Sequence, residues 1–321
     1  MTSSPGAGFP QRENPNGSAR LDIPTDDRRD TFDLLVLPDG RKLAFLDWGD
    51  PTGFPVFYFH GTPSSRLEGA FADAAARRHG FRLIATDRPG FGRSDFQPGR
   101  RFGDWPRDVS ALADHLGLDD FGVAGHSGAG PHLFACGAFL APARLRFIGA
   151  LGPWGPVASP AMTADLNALD RFYLRLSRHL PWVMRAAFAP LGWGATYWPG
   201  LFFGVMRASV SPADKAALSD KALLGVFRRM EREAFRQGSR GAAHEALIAF
   251  RPWDFDLAQV AVPTHIWLGE EDIFVPVAMG RHIERSIPDA SLRLVPGKGH
   301  FNIENWDDIF AACAGSRRDR I

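Results

Sequence analysis

The sequence predicts an α/β protein in which a mostly parallel central sheet of about eight strands is flanked by helices and interrupted by an inserted helical segment. Three observations predict this class. From Phe32 onward, short apolar runs alternate with longer helical patterns, as strands and crossover helices do in parallel sheets. The Asp39-Gly40 pair joins two extended runs, which indicates a hairpin. The alternation stops after Gly152 and resumes with the apolar residues 262–268.

The elements of the sheet can be placed in chain order. A hairpin over residues 32–49, which turns at Pro38-Asp39-Gly40, is expected to form an antiparallel edge. Strands are predicted at residues 56–59, 82–86, 121–124, 145–151, 262–268 and 291–295. Helices are predicted at residues 67–78, 105–116, 131–140, 277–286 and 304–314.

The domain organisation follows from where the alternation of strand-like apolar runs and helical patterns is interrupted. Between Gly152 and the next strand, helix-like segments are broken by Pro, Gly and Trp, so we expect an inserted helical cap over residues 153–256. The core domain is then formed by residues 31–152 and 257–315. Residues 1–30 are expected to be a disordered tail, and residues 316–321 a short C-terminal tail.

One segment of the predicted cap, residues 181–206, is rich in Trp and Phe and carries only Arg185 as a charge. Burial against the core domain, with some side chains lining an acyl or aromatic pocket, is the expectation that we favour. A lid that touches lipid is the alternative, and we do not expect membrane contact.

Composition places the chain among ordinary globular proteins. Its 321 residues are enough for one α/β domain with an insertion, and hydrophobic residues make up 45% against 23% charged residues. Lys and Arg number 37 and Asp and Glu 36, which gives a net charge of +1. Without a basic surplus or a basic stripe, a nucleic-acid partner is not expected.

The cysteines and the N-terminal residues indicate a cytoplasmic protein. Cys136 and Cys313 lie far apart in apolar helical contexts and form neither a disulfide framework nor a paired metal motif, so we expect buried free thiols. Residues 1–30 contain no apolar stretch that could serve as the centre of a signal peptide.

The strongest chemical signal is the segment Gly125-His126-Ser127-Gly128-Ala129-Gly130, which follows a predicted strand and precedes a predicted helix. A serine on such a sharp turn is held in a strained conformation, and the residues two positions away must be small. Gly125 and Ala129 meet this requirement, although the G-x-S-x-G pattern has glycine where Ala129 stands. Ser127 is therefore the candidate nucleophile.

An oxyanion hole is expected beside Ser127. The backbone N–H of Gly128, at the start of the following helix, points to where negative charge develops in a tetrahedral intermediate. The second donor is expected from His60-Gly61-Thr62-Pro63, after an earlier strand, where Thr62 offers its backbone N–H and Gly61 permits close approach.

Five motifs in order, HGTPSSR, DRPGFGRSD, GHSGAG, GEEDIFVP and PGKGHF, make the chain resemble the α/β-hydrolase fold family over roughly residues 31 to 315. The resemblance implies a catalytic triad of Ser127, Asp272 and His300. In this scheme His300 takes and returns the Ser127 proton, and Asp272 orients His300. His60 and His126 are expected to be neighbouring structural residues, with Gly61, Gly125 and Ala129 beside them.

Several other residues compete for these roles. Glu270 and Glu271 flank Asp272, but the family pattern Gly-x-x-Asp-x-x-Val-Pro places the acid at Asp272. The remaining candidates are expected to be structural: Ser64, Ser65 and Ser94 as turn or capping residues, His132 and His265 as core or surface residues, Gly90-Phe91-Gly92 as a tight turn, and the pair His132 and Cys136 as part of a helix without a metal.

The resemblance implies hydrolysis of a small or medium apolar carboxylic ester through an acyl-enzyme on Ser127, with no cofactor and no metal. Two alternatives remain open. The same triad could act on a thioester, lactone, amide or carbon–carbon bond, because one fold hosts many chemistries. The chain could also be a ligand-binding receptor or interaction protein on a hydrolase scaffold.

Overall fold

Eight strands form one sheet in the computed structural model, which describes residues 32–157 and 163–318. The strands are β1 Asp33–Val36, β2 Lys42–Gly49, β3 Phe54–Phe59, β4 Phe81–Thr86, β5 Phe121–His126, β6 Leu145–Leu151, β7 Thr264–Gly269 and β8 Ala290–Val295. Their order across the sheet is β1-β2-β4-β3-β5-β6-β7-β8. The predicted fold class is confirmed.

The direction of the strands divides the sheet into a short edge and a long parallel part. β1 pairs antiparallel with β2, and β2 pairs antiparallel with β4. All pairs from β4 to β8 are parallel, so that their carboxyl ends meet at one edge. The predicted hairpin edge is thus confirmed, and the carboxyl edge is where ligands bind in such sheets.

Helices cover both faces of the sheet. They are α1 Asp73–Arg78, α2 Trp105–His115, α3 Gly130–Phe139, α10 Val277–Ser286 and α11 Trp306–Arg318. One apolar layer joins the sheet to α2, α3 and α10 through buried residues such as Leu112, Leu133 and Ile283. A second layer joins the opposite face to α1 and α11 through residues such as Ala76 and Phe310. Burial on both faces explains the continuous apolar runs of the central strands.

Two predicted helices differ from the observed ones. The predicted helix at 67–78 is a short 3₁₀ helix, Arg66–Phe71, followed by α1. Gly69 packs so closely on the Trp48 indole that a Cβ there would overlap the ring, which ties the 3₁₀ segment to the sheet. The last helix continues past the predicted end at residue 314 to Arg318, so residues 316–318 of the predicted tail are helical. The predicted N-terminal tail lies outside the described residues.

The described part of the chain between β6 and β7 contains six α-helices joined by turns and loops. It contains α4 Ala168–His179, α5 Met184–Tyr197, α6 Pro199–Ser209, α7 Pro212–Ala217, α8 Lys221–Ala234 and α9 Arg240–Ala249. We call α4 to α9 the insertion. Because β6 and β7 are neighbours in the sheet, the insertion leaves and re-enters the sheet at adjacent strands.

The aromatic segment at residues 181–206 is only partly buried. Met184 and Phe188 of α5 face inward, but Trp182 is 79% exposed and Tyr197 69% exposed. The expectation of burial was therefore wrong for the outward side chains. The sequence could not show this, because α5 carries apolar residues on both faces and its periodicity does not mark a solvent side. Among the described residues, no helix has the length and apolar character needed to cross a membrane.

Candidate active site

Ser127 lies at the sharp turn between β5 and α3. The strand ends at His126, a single 3₁₀ turn spans Ser127–Ala129, and α3 begins at Gly130. Ser127 has a φ of 56°, which lies in the left-handed region that residues other than glycine rarely adopt. Among the described residues it is the one non-glycine residue with positive φ. Strain of this kind is typical of functional sites.

The residues around Ser127 are small because other groups occupy the space. A Cβ on Gly125 would lie 2.5 Å from the Phe59 carbonyl oxygen and 2.6 Å from the Ala129 Cβ. Ala129 itself is fully buried. This crowding is the physical reason for the small residues that the sequence pattern contains at these two positions.

The structure brings together the three residues of the predicted triad. His300 Nε2 lies 2.8 Å from Ser127 Oγ, and His300 Nδ1 lies 2.7 Å from Asp272 Oδ2. Asp272 follows β7 and His300 follows β8, so both side chains reach the carboxyl edge of the sheet. These distances form a continuous hydrogen-bonded relay from Asp272 to Ser127.

The loop after β7 holds the Asp272 carboxylate in place. Its other oxygen, Oδ1, accepts hydrogen bonds from the backbone N–H groups of Phe274 and Val275, at 2.8 and 2.9 Å. The rival acids Glu270 and Glu271 are both exposed, whereas Asp272 is buried. The position of the carboxylate is therefore set on both sides.

The charge around His300 favours its protonated form. Burial alone would lower the pKa of His300, but the carboxylates of Asp272, Asp214 and Glu68 outweigh burial and raise the pKa above its usual value. Such surroundings stabilise an imidazolium that forms when the ring accepts a proton.

Gly152 was missed as a site residue by sequence reasoning. It follows β6 with a φ of +50°, and a Cβ there would lie 3.3 Å from Asp272 Oδ2 and 3.4 Å from His300 Nδ1. The absence of a side chain leaves room for the Asp272–His300 pair. Its place at the end of a strand in the parallel sheet was the signal that could have pointed to it.

Thr62 and Gly128, the two predicted oxyanion donors, lie side by side. A Cβ on Gly128 would lie 3.1 Å from the Thr62 backbone nitrogen and would overlap the Thr62 hydroxyl. The two backbone N–H groups thus belong to neighbouring positions next to Ser127, as a two-donor hole requires.

A buried ion-pair cluster holds the Thr62 loop. The Thr62 hydroxyl donates a short hydrogen bond to Glu245, which comes from α9 of the insertion. Arg88 donates to Glu245 Oε2 at 3.0 Å and to the Gly61 carbonyl at 3.1 Å. Arg100 adds a second cation to the cluster, at 2.8 Å from Glu245. Burial opposes ionisation of Glu245, but the neighbouring cations hold its pKa well below the usual range.

Glu68 supports the same loop from the other side and was also missed. Both of its carboxylate oxygens accept the Gly61 N–H at 3.0 Å, and the Tyr58 hydroxyl donates to it at 3.0 Å. His126 Nδ1 faces Glu68 at 3.7 Å, while His126 Nε2 donates to the His300 carbonyl at 3.0 Å. Glu68 and His126 therefore connect the Thr62 loop to the His300 loop.

His60 is held as a neutral ring. The backbone N–H of Arg88 donates to His60 Nε2 at 3.2 Å. The proton of the His60 ring is therefore on Nδ1, which donates to the Gly61 carbonyl at 2.7 Å. Burial and the Arg88 charge lower the pKa of His60 to about 3. Its role in the loop is structural.

The other residues that competed for function have structural partners or lie apart. Ser65 donates to the Met230 carbonyl, Ser94 to the Asp87 carbonyl, and the ring of His265 contacts Ser291 and Ser316. His132 is fully buried beside Glu245. Cys136 and Cys313 are buried and free. Within residues 32–157 and 163–318, no group of three or more potential ligands could hold a metal ion.

Comparison with known proteins agrees with this architecture. A family model of the α/β hydrolase fold matches residues 55–305. A non-heme haloperoxidase of Rhodococcus erythropolis is 27% identical, with 83% of this chain and 92% of that protein covered. A bifunctional esterase/perhydrolase of Acinetobacter calcoaceticus is 24% identical over the same shares of the two chains.

Solved structures show the same fold. A thermophilic esterase from Thermogutta terrifontis superimposes with a TM-score of 0.63 at 22% identity, covering 90% of this chain and 98% of the other. Ser127, Asp272 and His300 all lie within the range 55–305 that the family model covers. The chain therefore belongs to the α/β-hydrolase fold family.

Proposed function

We propose that this protein is a serine hydrolase that cleaves a small or medium apolar carboxylic ester through an acyl-enzyme on Ser127. The observation that supports this most directly is the relay of Ser127, His300 and Asp272, with separations of 2.8 and 2.7 Å. A relative named as an esterase and a solved esterase of the same fold support the choice of an ester.

Acylation would begin when Ser127 Oγ attacks the ester carbonyl carbon and passes its proton to His300 Nε2. The carbonyl oxygen becomes an oxyanion, which accepts hydrogen bonds from the Thr62 and Gly128 backbone N–H groups. The carbon–oxygen bond to the alcohol then breaks, and His300 returns the proton to the leaving alkoxide. Throughout, Asp272 holds the ring in the tautomer that leaves Nε2 free.

Deacylation repeats these steps with water. Water gives a proton to His300 Nε2 and attacks the acyl carbon, and the bond to Ser127 Oγ breaks as the proton returns to the serine. The products are the carboxylic acid and the free enzyme.

A second candidate function is perhydrolysis, because one relative is named a bifunctional esterase/perhydrolase. Hydrogen peroxide would replace water in deacylation and leave as a peracid, with the same proton transfers. The test is ester turnover in the presence of peroxide, with the peracid trapped by oxidation of a thioether. Without peracid, hydrolysis alone remains.

Labelling with a fluorophosphonate probe, followed by mass spectrometry of the modified peptide, tests the nucleophile. We expect modification of Ser127 in the wild type, none in Ser127→Ala, and turnover of p-nitrophenyl butyrate only in the former. Ser64→Ala, which removes a serine from the adjacent loop, serves as the matched control. A folded wild type that is neither labelled nor active would favour the receptor alternative.

Two further variants distinguish the role of the general base, His300, from that of the orienting acid, Asp272. His300→Ala should lower kcat by a factor of about 10⁴ or more, because no group then accepts the serine proton. Asp272→Asn should leave weak residual activity. The free energy of unfolding should show whether each variant still folds, and full activity in folded His300→Ala would contradict the mechanism.

A further inference from the structure

An acidic side chain of the insertion contacts the loop that carries His300. Asp214 belongs to the short helix α7, whose first turn is capped by Ser211. It is only 2% exposed, although a charged residue of a short helix would usually face solvent. Its burial therefore needs a structural explanation.

Both carboxylate oxygens of Asp214 bind backbone donors of the His300 loop. Oδ2 accepts the His300 N–H at 3.0 Å, and Oδ1 accepts the Phe301 N–H at 2.7 Å. The Ser211 hydroxyl donates to Oδ2 at 2.9 Å and fixes the carboxylate from behind. A Cβ on Gly299 would overlap the carboxylate, so the loop approaches Asp214 as closely as a glycine allows.

The charge of Asp214 adds to other charges that face the His300 ring. Asp272 binds Nδ1 directly. Glu68 and Asp170 interact with the ring electrostatically, the first from the 3₁₀ helix after β3 and the second from α4. The His126 ring lies 4.6 Å from the His300 ring, measured between centroids. Among these groups, Asp214 alone binds the backbone N–H of His300.

We infer that Asp214 is a positioning residue for His300: it fixes the backbone so that Nε2 lies against Ser127 Oγ, and its charge stabilises the imidazolium formed in each half-reaction. This inference rests on the proposed function. It also makes the insertion part of the catalytic centre, because the carboxylate reaches the loop from α7, which precedes it by 86 residues.

The experiment is the pH dependence of kcat/KM for the wild type, Asp214→Asn and Asp214→Glu. The asparagine retains an acceptor but removes the charge, so the acid limb should move down by about half a pH unit. Its plateau should fall about tenfold, because one backbone hydrogen bond is lost and the base is less well placed. The glutamate keeps the charge, so the limb should stay in place while the plateau falls.

Asp220→Asn is the matched control, since it removes a charge from the same insertion while keeping an N-capping side chain at α8. It should leave both the limb and the plateau unchanged. An Asp214→Asn profile whose acid limb coincides with that of the wild type would overturn the inference, whatever the loss of thermal stability. Should the asparagine variant not fold, a glutamate variant with an unchanged plateau would overturn it equally.

A titration of the His300 ring by NMR, in the wild type and in Asp214→Asn, gives the same answer without turnover. The pKa of His300 should be lower in the variant. Because this readout needs no substrate, a failure of the inference can be distinguished from a failure of the proposed function, which the labelling of Ser127 tests separately.

Discussion

The two halves of the insertion differ in charge and in what they contact. The outer half, α4 to α6, contains five arginines and one acidic residue, Asp170. It also carries these exposed large apolar side chains: Leu169, Phe172, Leu180, Trp182, Trp193, Tyr197, Trp198, Leu201 and Val205. The inner half, α7 to α9, carries buried acids that face the core domain: Asp214, Glu231, Glu233 and Glu245.

The inner half is tied to the loops of the site by hydrogen bonds and ion pairs. Glu245 holds Thr62 and Arg88, Asp214 holds the His300 loop, and Glu233 binds the fully buried Arg66 at 2.8 Å. The outer half packs largely on the rest of the insertion, as Gly192 of α5 does against Phe235. We infer from this difference that substitutions in the inner half should change the catalytic chemistry. Substitutions in the outer half should instead change stability or substrate access.

Within the outer half, the largest loss in the free energy of unfolding should come from substituting a side chain that faces inward. Phe188→Ala should lower the free energy of unfolding by about 3 kcal/mol, because it leaves a cavity where a 5% exposed ring packs on Tyr173. Trp193→Ser in the same helix removes a side chain that is 57% exposed and should cost less than about 1 kcal/mol.

Denaturant unfolding measures both variants, and ester turnover should stay within about twofold of the wild type in each. A loss of kcat/KM in folded Trp193→Ser comparable to that of Asp214→Asn would contradict the distinction between the halves.

A smaller loss in the free energy of unfolding should follow the removal of a buried ion pair, and a still smaller one the removal of an exposed ion pair. Glu233→Gln removes a charge that binds Arg66 and Arg93, and should lower the free energy of unfolding by about 2 kcal/mol, since Arg66 retains Asp87. Asp114→Asn breaks the exposed pair with Arg144 and should cost less than about 1 kcal/mol. Equal losses in urea unfolding would show that Glu233 does not anchor the inner half.

The smallest effect should be a pH-dependent change in the free energy of unfolding when Asp170, the acidic residue of the outer half, is substituted. Burial raises the pKa of Asp170 from 3.8 to about 6. A carboxyl group whose pKa is higher in the folded state stabilises the fold below pH 3.8, and this contribution is lost as the pH rises through 6.

Asp170→Asn should therefore raise the free energy of unfolding at pH 7.5 by about 1 kcal/mol relative to the wild type, and change it little near pH 3.5. Thermal unfolding at the two pH values measures this. A gain of equal size at both would point to packing rather than ionisation.

The sequence was sufficient for the sheet and for the turn at Ser127 because both depend on local patterns. Apolar runs of strand length, the Asp39-Gly40 turn and the small residues around Ser127 report the constraints of their own neighbourhood. The family resemblance then pointed to Asp272 and His300, which the structure brings within hydrogen-bonding distance of each other.

What escaped sequence reasoning depends on contacts between distant parts of the chain. Glu245 and Arg88 are 157 residues apart, and a single acid on an amphipathic helix is normally a solvent-facing residue. Glu68 sits in a segment predicted to be an ordinary helix, so nothing marked it as a partner of Gly61. The outward aromatic side chains of α5 escaped for another reason, since both faces of that helix are apolar.

The ion pair between Arg88 and Glu245 limits how this protein could be re-engineered. A chimera that receives all of α4 to α9 from another protein would leave Arg88, which is fully buried, facing no carboxylate unless the donor supplied one. It would also remove the acceptors of the His300 loop. The exchangeable module is therefore α4 to α6, and a graft that changes substrate preference should end before Ser211.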